Sequence, residues 1–421
     1  MASFVKTASL YTGAAATNTA VPLLALPILI RALGPDEFGK VGVYLALVNI
    51  AVVLVGLSVH GIVSVVHFRD GTQAVAAYIR GALRIAMLTA IPLALALCVL
   101  APLFERASGL PGQWAWSIAL IAAAQFIVTL GLAVFQAREQ PLRYAALQIG
   151  VMLGWAVLAI LLIYGISMDW TGWALGRLVA SAVGALVVLY FMKREGMLCK
   201  TAGTAPLSNL LRFGLPLVPH ALSGAVMGGA DRLLLAHIGG AEMTGMYYAA
   251  FQICSVITLG AAAINQAWVP WLYRRLASPS RKSAREIVRV TFIFYGVFLF
   301  AALIFSGTAP WLVQIIAGER YLSSVPVIRW LAPAAAFSGM YYFVTNYLFY
   351  HGRTGMLSMV TVSTAILQIG LLVVCVPLWG ITGAGFAALV TAVLYWAAIC
   401  YAAQKISPMP WFAFFRREMT V

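Results

Sequence analysis

Apolar runs of membrane-spanning length follow one another along the whole of this chain, and that pattern restricts the fold more than any motif in it. A stretch of about 20 predominantly apolar residues crosses a bilayer as a helix. The composition agrees, since 63% of the 421 residues are hydrophobic and only 9% are charged, whereas soluble globules carry roughly 25% charged residues. The chain reads as an all-α integral membrane protein in which the membrane is the solvent.

The runs fall at residues 8–30, 41–66, 82–104, 116–137, 144–164 and 173–192, and then at 213–237, 245–268, 290–306, 325–350, 356–378 and 383–403. That predicts about twelve transmembrane helices. Six fall in residues 1–192, a basic linker follows at 193–212, and six more with a tail fill 213–421. An even number of spans puts both termini on one side. Short cytoplasmic loops collect Lys and Arg. One set of alternate loops holds Arg69, Arg80, Arg84, Arg138, Arg143, Lys193, Arg194 and six basic residues between Arg274 and Arg289, while the other offers Arg31, Lys40, Arg106 and Arg320. Both termini are therefore expected in the cytoplasm of a multi-pass protein. The net charge of +15 is a topology signal, with no nucleic-acid partner implied.

Of the five cysteines, Cys98, Cys254, Cys375 and Cys400 lie in spans and Cys199 in the basic linker, so neither a disulfide framework nor a metal-ligand spacing is present. The first run contains Thr17, Asn18 and Thr19 and is too long and too polar for a cleaved signal, so it reads as a retained span.

Charges inside the spans are the next constraint. The run at 213–237 carries Asp231 and Arg232, and an ionised group at the centre of a helix costs roughly 2.5–3.5 kcal/mol. Adjacent helix positions point about 100° apart, so the two are not expected to satisfy each other, and a partner from another helix or a ligand is expected. Snorkelling of Arg232 to the interface is the competing reading. Arg177 and Arg329 lie on the same outer side and run against the positive-inside bias. Together the three suggest a cationic lining suited to a diphosphate, which arginine binds through its planar fork. Asn18, Asn265 with Gln266, Gln125 with Thr129, and Tyr342 with Asn346 would extend that lining, or else bond helix to helix. Pro22 and Pro216 interrupt spans and mark places where helices bend.

The loops after the first and seventh spans echo each other. LGPDEFGK at 33–40 and IGGAEMTG at 238–245 align Gly34 with Gly239 and Glu37 with Glu242 at one offset. The echo supports two six-helix halves in parallel repeat, with a substrate path between them. No paired carboxylates, nucleophile with a histidine, metal cluster or phosphate-binding glycine loop occurs at a useful spacing, which argues against an enzyme and gives no cofactor or metal site.

The loop LGPDEFGKVGVY resembles the glycine-proline-acidic-aromatic-glycine turn of bacterial polysaccharide-transport flippases, and FGLPLVPH followed by GADRLLLAHIGGAEMTGMYY is similar to their seventh-helix signature. The resemblance covers the full twelve-span layout. It implies the multidrug, oligosaccharidyl-lipid and polysaccharide exporter superfamily, with a MATE-like fold of two bundles around a central cleft. It also implies the translocation of an O-antigen or exopolysaccharide unit on undecaprenyl diphosphate across the bacterial cytoplasmic (inner) membrane. The partners implied are the lipid-linked oligosaccharide, membrane lipids, and a polysaccharide polymerase or other assembly proteins. Gly34, Pro35, Glu37 and Gly39 correspond to the turn, Pro216 to the hinge proline, and Asp231 with Arg232 to the charged pair; the second half departs in that Thr244 aligns with Gly39. Two competing functions are a cation-coupled drug antiporter of the same fold, which needs buried carboxylates, and a membrane glycosyltransferase or polymerase, which needs acidic or histidine pairs in a substantial loop.

Overall fold

A computed structural model of the chain describes residues 2–198, 205–278 and 280–411, apart from the side chains of residues 2–19, 72 and 73. Asn18 thus falls outside the described side chains, and Cys199 outside the described residues. All regular structure within the described residues is helical. Helices α1 (2–33) and α2 (35–56) are two arms of one continuous element, Ala2–Gly56, that turns at Gly34. Next come α3 (Thr72–Val99), α4 (Ala115–Ala137), α5 (Pro141–Ile160) and α6 (Trp170–Arg194). Helix α7 is in three pieces, Leu207–Gly214, Val218–Met227 and 230–239, and α8 (241–277) continues its last piece past Gly240. Then follow α9 (Arg281–Gly307), α10 (Val325–Tyr350) and the two arms of Thr354–Ile406, α11 (354–379) and α12 (381–406), which turn at Gly380. They follow the order of the predicted runs, except that the run 41–66 breaks after Gly56 and resumes as a separate short helix, Ile62–Asp70. Nine of the described helices, with the turned ones counted once, are long and apolar enough to cross a membrane.

The chain divides into two compact units, Met1–Gly245 and Met246–Val421. In the first, α4 packs against α1–α2, α3 and α6, and it buries Ala119, Ile121, Phe126, Leu130 and Val134. A helix that is apolar all round belongs at such a centre. In the second unit α10 takes that place, packed on α9 and on α11–α12.

Three glycine turns share one backbone pattern. Gly34, Gly240 and Gly380 have φ of 72°, 77° and 57°, a left-handed backbone that glycine adopts without penalty. Each is followed five residues later by another glycine: Gly39, Gly245 or Gly385. A Cβ on Gly39 would lie 1.8 Å from the Ala241 carbonyl oxygen, and one on Gly245 would lie 1.8 Å from the Pro35 carbonyl oxygen. The two turns therefore cross backbone against backbone. This corrects the sequence alignment by one residue: Gly240, not Gly239, answers Gly34, and Gly245, not Thr244, answers Gly39. The apparent departure at Thr244 disappears.

Helix α2 ends at a second irregularity. Leu57 and Ser58 have φ of 43° and 57°, positions that cost of order 1–3 kcal/mol each in a non-glycine residue. The surroundings hold them there. The Thr89 hydroxyl of α3 donates to the Val55 carbonyl at 2.8 Å, and Gly214 of α7 lies so close that a Cβ there would come 2.2 Å from the Leu57 carbonyl oxygen.

Candidate functional site

The sequence-predicted residues separate into four groups. The first is the turn. Glu37 accepts a hydrogen bond from Lys40 at 2.7 Å and, through its other oxygen, from the Trp170 backbone N–H at 3.1 Å, so it caps the start of α6. Lys40 also pairs with Asp36 at 2.8 Å. Gly34, Pro35, Glu37 and Gly39 thus build one braced corner. Pro22 lies inside α1, and Pro216 sits in a short 3-10 turn, Leu215–Leu217, that separates the first two pieces of α7.

The second group is Asp231 with Arg232. Helix α7 breaks at Gly228 and Gly229 and restarts at Ala230. A Cβ on Gly229 would lie 2.7 Å from the Ala46 Cβ, so the break is pressed against α2. Asp231 is in the first turn of the new piece, where its Oδ1 accepts from the Arg232 backbone N–H at 2.8 Å. The Arg232 guanidinium donates to the Gly228 carbonyl, and its Nε is 3.5 Å from Asp231 Oδ1. The two residues are 3% and 2% exposed, which excludes snorkelling. The expectation that neighbours cannot pair fails here because it assumes an unbroken helix, and the break supplies both a loose turn and a spare carbonyl.

The third group is a polar chamber inside the first unit, between α4, α5 and α6. Its volume is about 200 Å³, and Gln125, Thr129, Gln148, Trp155, Arg177 and Ser181 supply its polar wall. With its amide oxygen turned inward, Gln125 accepts from Arg177 Nε at 3.0 Å and Nη2 at 3.2 Å. The guanidinium carbon lies 5.6 Å from the centre of the Trp155 ring, which is a cation–π contact. Trp155 Nε1 and Gln148 Oε1 are buried without a protein partner, and no residue of the wall is acidic. A pocket with a cation, amides and hydroxyls and no carboxylate suits an anionic or hydroxylated guest. Above it, Trp155, Trp173, Tyr44, Trp170 and Trp114 make a chain of ring contacts 5.5–6.4 Å apart up to the braced corner. Sequence reading singled out Arg177, Gln125 and Thr129 but passed over Gln148, Trp155 and Ser181. Gln148 was detectable as a lone amide in the apolar run of α5.

The fourth group is in the second unit. Asn346 is 4% exposed, and its amide donates to Asn265 Oδ1 at 2.8 Å and to the Tyr342 carbonyl at 2.5 Å. Tyr341 stacks on Tyr395 at 4.6 Å, and Tyr395 bonds the Thr361 hydroxyl at 3.0 Å. Asn265, Tyr342 and Asn346 thus come together by bonding α8 to α10. Gln266 is exposed, and so is Arg329.

Residues 4–275 match the family described as polysaccharide biosynthesis protein. An uncharacterized membrane protein of Haemophilus influenzae is 24% identical over 395 residues, 91% of this chain and 94% of that one. The Lsg locus putative protein 1 of the same organism is 22% identical over 365 residues, 84% of this chain and 86% of that one. Among solved structures, an inward-facing multidrug-resistance MATE family transporter of the MOP superfamily superposes with a TM-score of 0.75 at 16% identity, covering 93% of this chain and 99% of its own. The lipid II flippase MurJ in an inward closed conformation gives 0.77 at 8% identity, covering 94% and 87%. At such identities the likeness shows the fold, and the MATE-like architecture expected from the sequence is the one this chain adopts.

Proposed function

The chain belongs to the polysaccharide biosynthesis protein family, and from that premise we propose that it is a flippase for a saccharide carried on undecaprenyl diphosphate. It works in the bacterial cytoplasmic membrane with both termini inside, and moves its cargo outward by alternating access. The observation that carries the reading is the Arg177 chamber: a cation held by Gln125 and Trp155 among three membrane-length helices, with no acidic side chain in the wall. An intramembrane arginine in a polar pocket is a site for an anionic group, and the carrier lipid brings a diphosphate. Family membership and a fold shared with a lipid II flippase support the choice of cargo. In this reading Arg177, with Gln125 and Gln148, meets the anionic headgroup, while Asp231 and Arg232 brace the broken α7.

The rival is a cation-coupled drug antiporter; the other fold relative is a multidrug-resistance transporter. Asp231 is the one carboxylate buried within a span among the described residues, and Arg232 is paired with it. That leaves little to hold a cation. The test follows lipid-linked saccharide in spheroplasts and in proteoliposomes. Depletion of the protein should trap the saccharide on the inner leaflet. Arg177→Gln should cut outward appearance at least tenfold at equal protein level, and Arg177→Lys should recover part of it by keeping charge and losing the fork. Normal transport by Arg177→Gln, or export of organic cations in place of the saccharide, would sink the reading.

A further inference from the structure

Helices α5 and α6 leave an apolar groove of about 380 Å³ on the outside of the first unit, separate from the Arg177 chamber apart from one shared residue, Val151. Gly150 and Gly154 form part of its wall together with Leu147, Leu158, Val183 and Val187. A Cβ on Gly150 would meet nothing within 4 Å, and one on Gly154 only the Ala180 Cβ at 3.8 Å. These glycines therefore do not serve close helix packing; they leave room. Arg143 also lines the groove, and its guanidinium lies 5.4 Å from the Phe191 ring.

The charges near Arg143 are unbalanced. Arg143 reaches Glu195 at 2.5 Å, and Arg138 bonds the other oxygen of the same carboxylate. Arg143 also donates to the Gln140 amide oxygen at 3.0 Å. Two guanidinium groups on one carboxylate leave a net positive charge, and Arg138 Nε is buried with no partner. Along α5, the rise from Arg143 to Leu158 is about 22 Å at ~1.5 Å per residue, more than the roughly 15 Å depth of one leaflet of the hydrocarbon core. The groove thus joins a cationic headgroup site to a channel long enough for a hydrocarbon chain.

We propose that this groove binds one anionic phospholipid, with its phosphate on Arg138 and Arg143 and an acyl chain laid along Gly150 and Gly154. The positive charge left over on the two guanidinium groups suits an anionic phosphate headgroup. Anionic lipids concentrate on the basic, cytoplasmic side of such proteins, and Arg138 and Arg143 belong to that basic set of loops. The site is independent of what the protein transports.

Native mass spectrometry of the full chain in detergent, offered equal amounts of phosphatidylglycerol and phosphatidylethanolamine, tests it. The wild type should retain one phosphatidylglycerol with at least a fivefold preference. The double variant Arg138→Ala, Arg143→Ala should lose the preference, and Gly150→Leu should lose the lipid while keeping every charge. Glu195→Gln should shift the other way and tighten retention, an outcome that misfolding cannot imitate. Equal retention of the two lipids by the wild type, undiminished binding in Gly150→Leu, or displacement of phosphatidylglycerol by an equal amount of undecaprenyl phosphate would each overturn the proposal.

Discussion

Replacing Arg232 with alanine separates a structural brace from a ligand-binding residue. At 2% and 3% exposure, Arg232 and Asp231 are both out of water. The arginine holds two groups: the Asp231 carboxylate, 3.5 Å from its Nε, and the Gly228 carbonyl at the helix break. Removing one partner of a buried pair costs roughly 3–5 kcal/mol because the other charge is stranded, and a buried carbonyl left without a donor adds roughly 1–3 kcal/mol. Against a folding free energy of about 5–15 kcal/mol this is a large loss. Arg232→Ala should therefore lower membrane abundance and the thermal midpoint of detergent-extracted protein. The double change Asp231→Asn, Arg232→Met removes both charges and should recover much of the loss, with a coupling energy of at least ~1 kcal/mol in a double-mutant cycle. Abundance and midpoint would be followed by size-exclusion chromatography of heated extracts, with transport normalised to folded protein. If Arg232→Ala is as abundant and as stable as the wild type yet fails to transport, the brace is refuted and the arginine is held for cargo.

Three further outcomes follow from the packing and the charge pattern. Gly39→Ala and Gly245→Ala should each sharply reduce folded protein, because each new methyl meets a backbone carbonyl at 1.8 Å that cannot rotate away and overpacking costs roughly 1–3 kcal/mol or more; Gly150→Ala, with open space around it, should express like the wild type. Thr89→Val should destabilise by about 1 kcal/mol, since the Val55 carbonyl at the end of α2 loses its hydroxyl donor, and a denaturation midpoint equal to that of the wild type would show that the bond contributes nothing. In a variant keeping only Cys199, an impermeant thiol reagent should label inverted vesicles and spare intact spheroplasts, as the basic loops require; the reverse pattern would invert the topology.

The fold was legible because the bilayer imposes it: helices must be apolar over about 20 residues, and any sequence that obeys shows its spans. What the sequence hid was where helices stop being regular. Three long helices each continue through a glycine with positive φ, and glycine composition alone does not say which glycine turns the chain. HIGGAEMTG offers two adjacent candidates, and aligning on the wrong one shifts the match by a residue and makes Thr244 look like a departure. The spacing of five from the turning glycine to the next glycine picks Gly240 over Gly239, since it holds at Gly34, Gly240 and Gly380 alike. A repeat is best read from a pair of constraints on the backbone, because one glycine can be matched by chance and two at fixed spacing much less easily.

The same limit governed the charged residues. Periodicity places Asp231 and Arg232 on different faces, which is correct for a helix and wrong for this one, whose backbone is interrupted two residues earlier. Arg177 had no such interruption, and reading it beside Gln125 and Thr129 as polar positions in apolar spans found half of the chamber. Gln148, Trp155 and Ser181 come from two helices, and only packing brings α5 beside Arg177. An arginine on a regular, well-packed helix keeps the neighbours that its spacing predicts, whereas one beside a broken turn takes the carbonyls that the break releases. For that reason the chamber, where the guanidinium is held by side chains around a cavity, is the stronger seat for an anionic headgroup, and the pair on α7 is the stronger candidate for holding the bend in place.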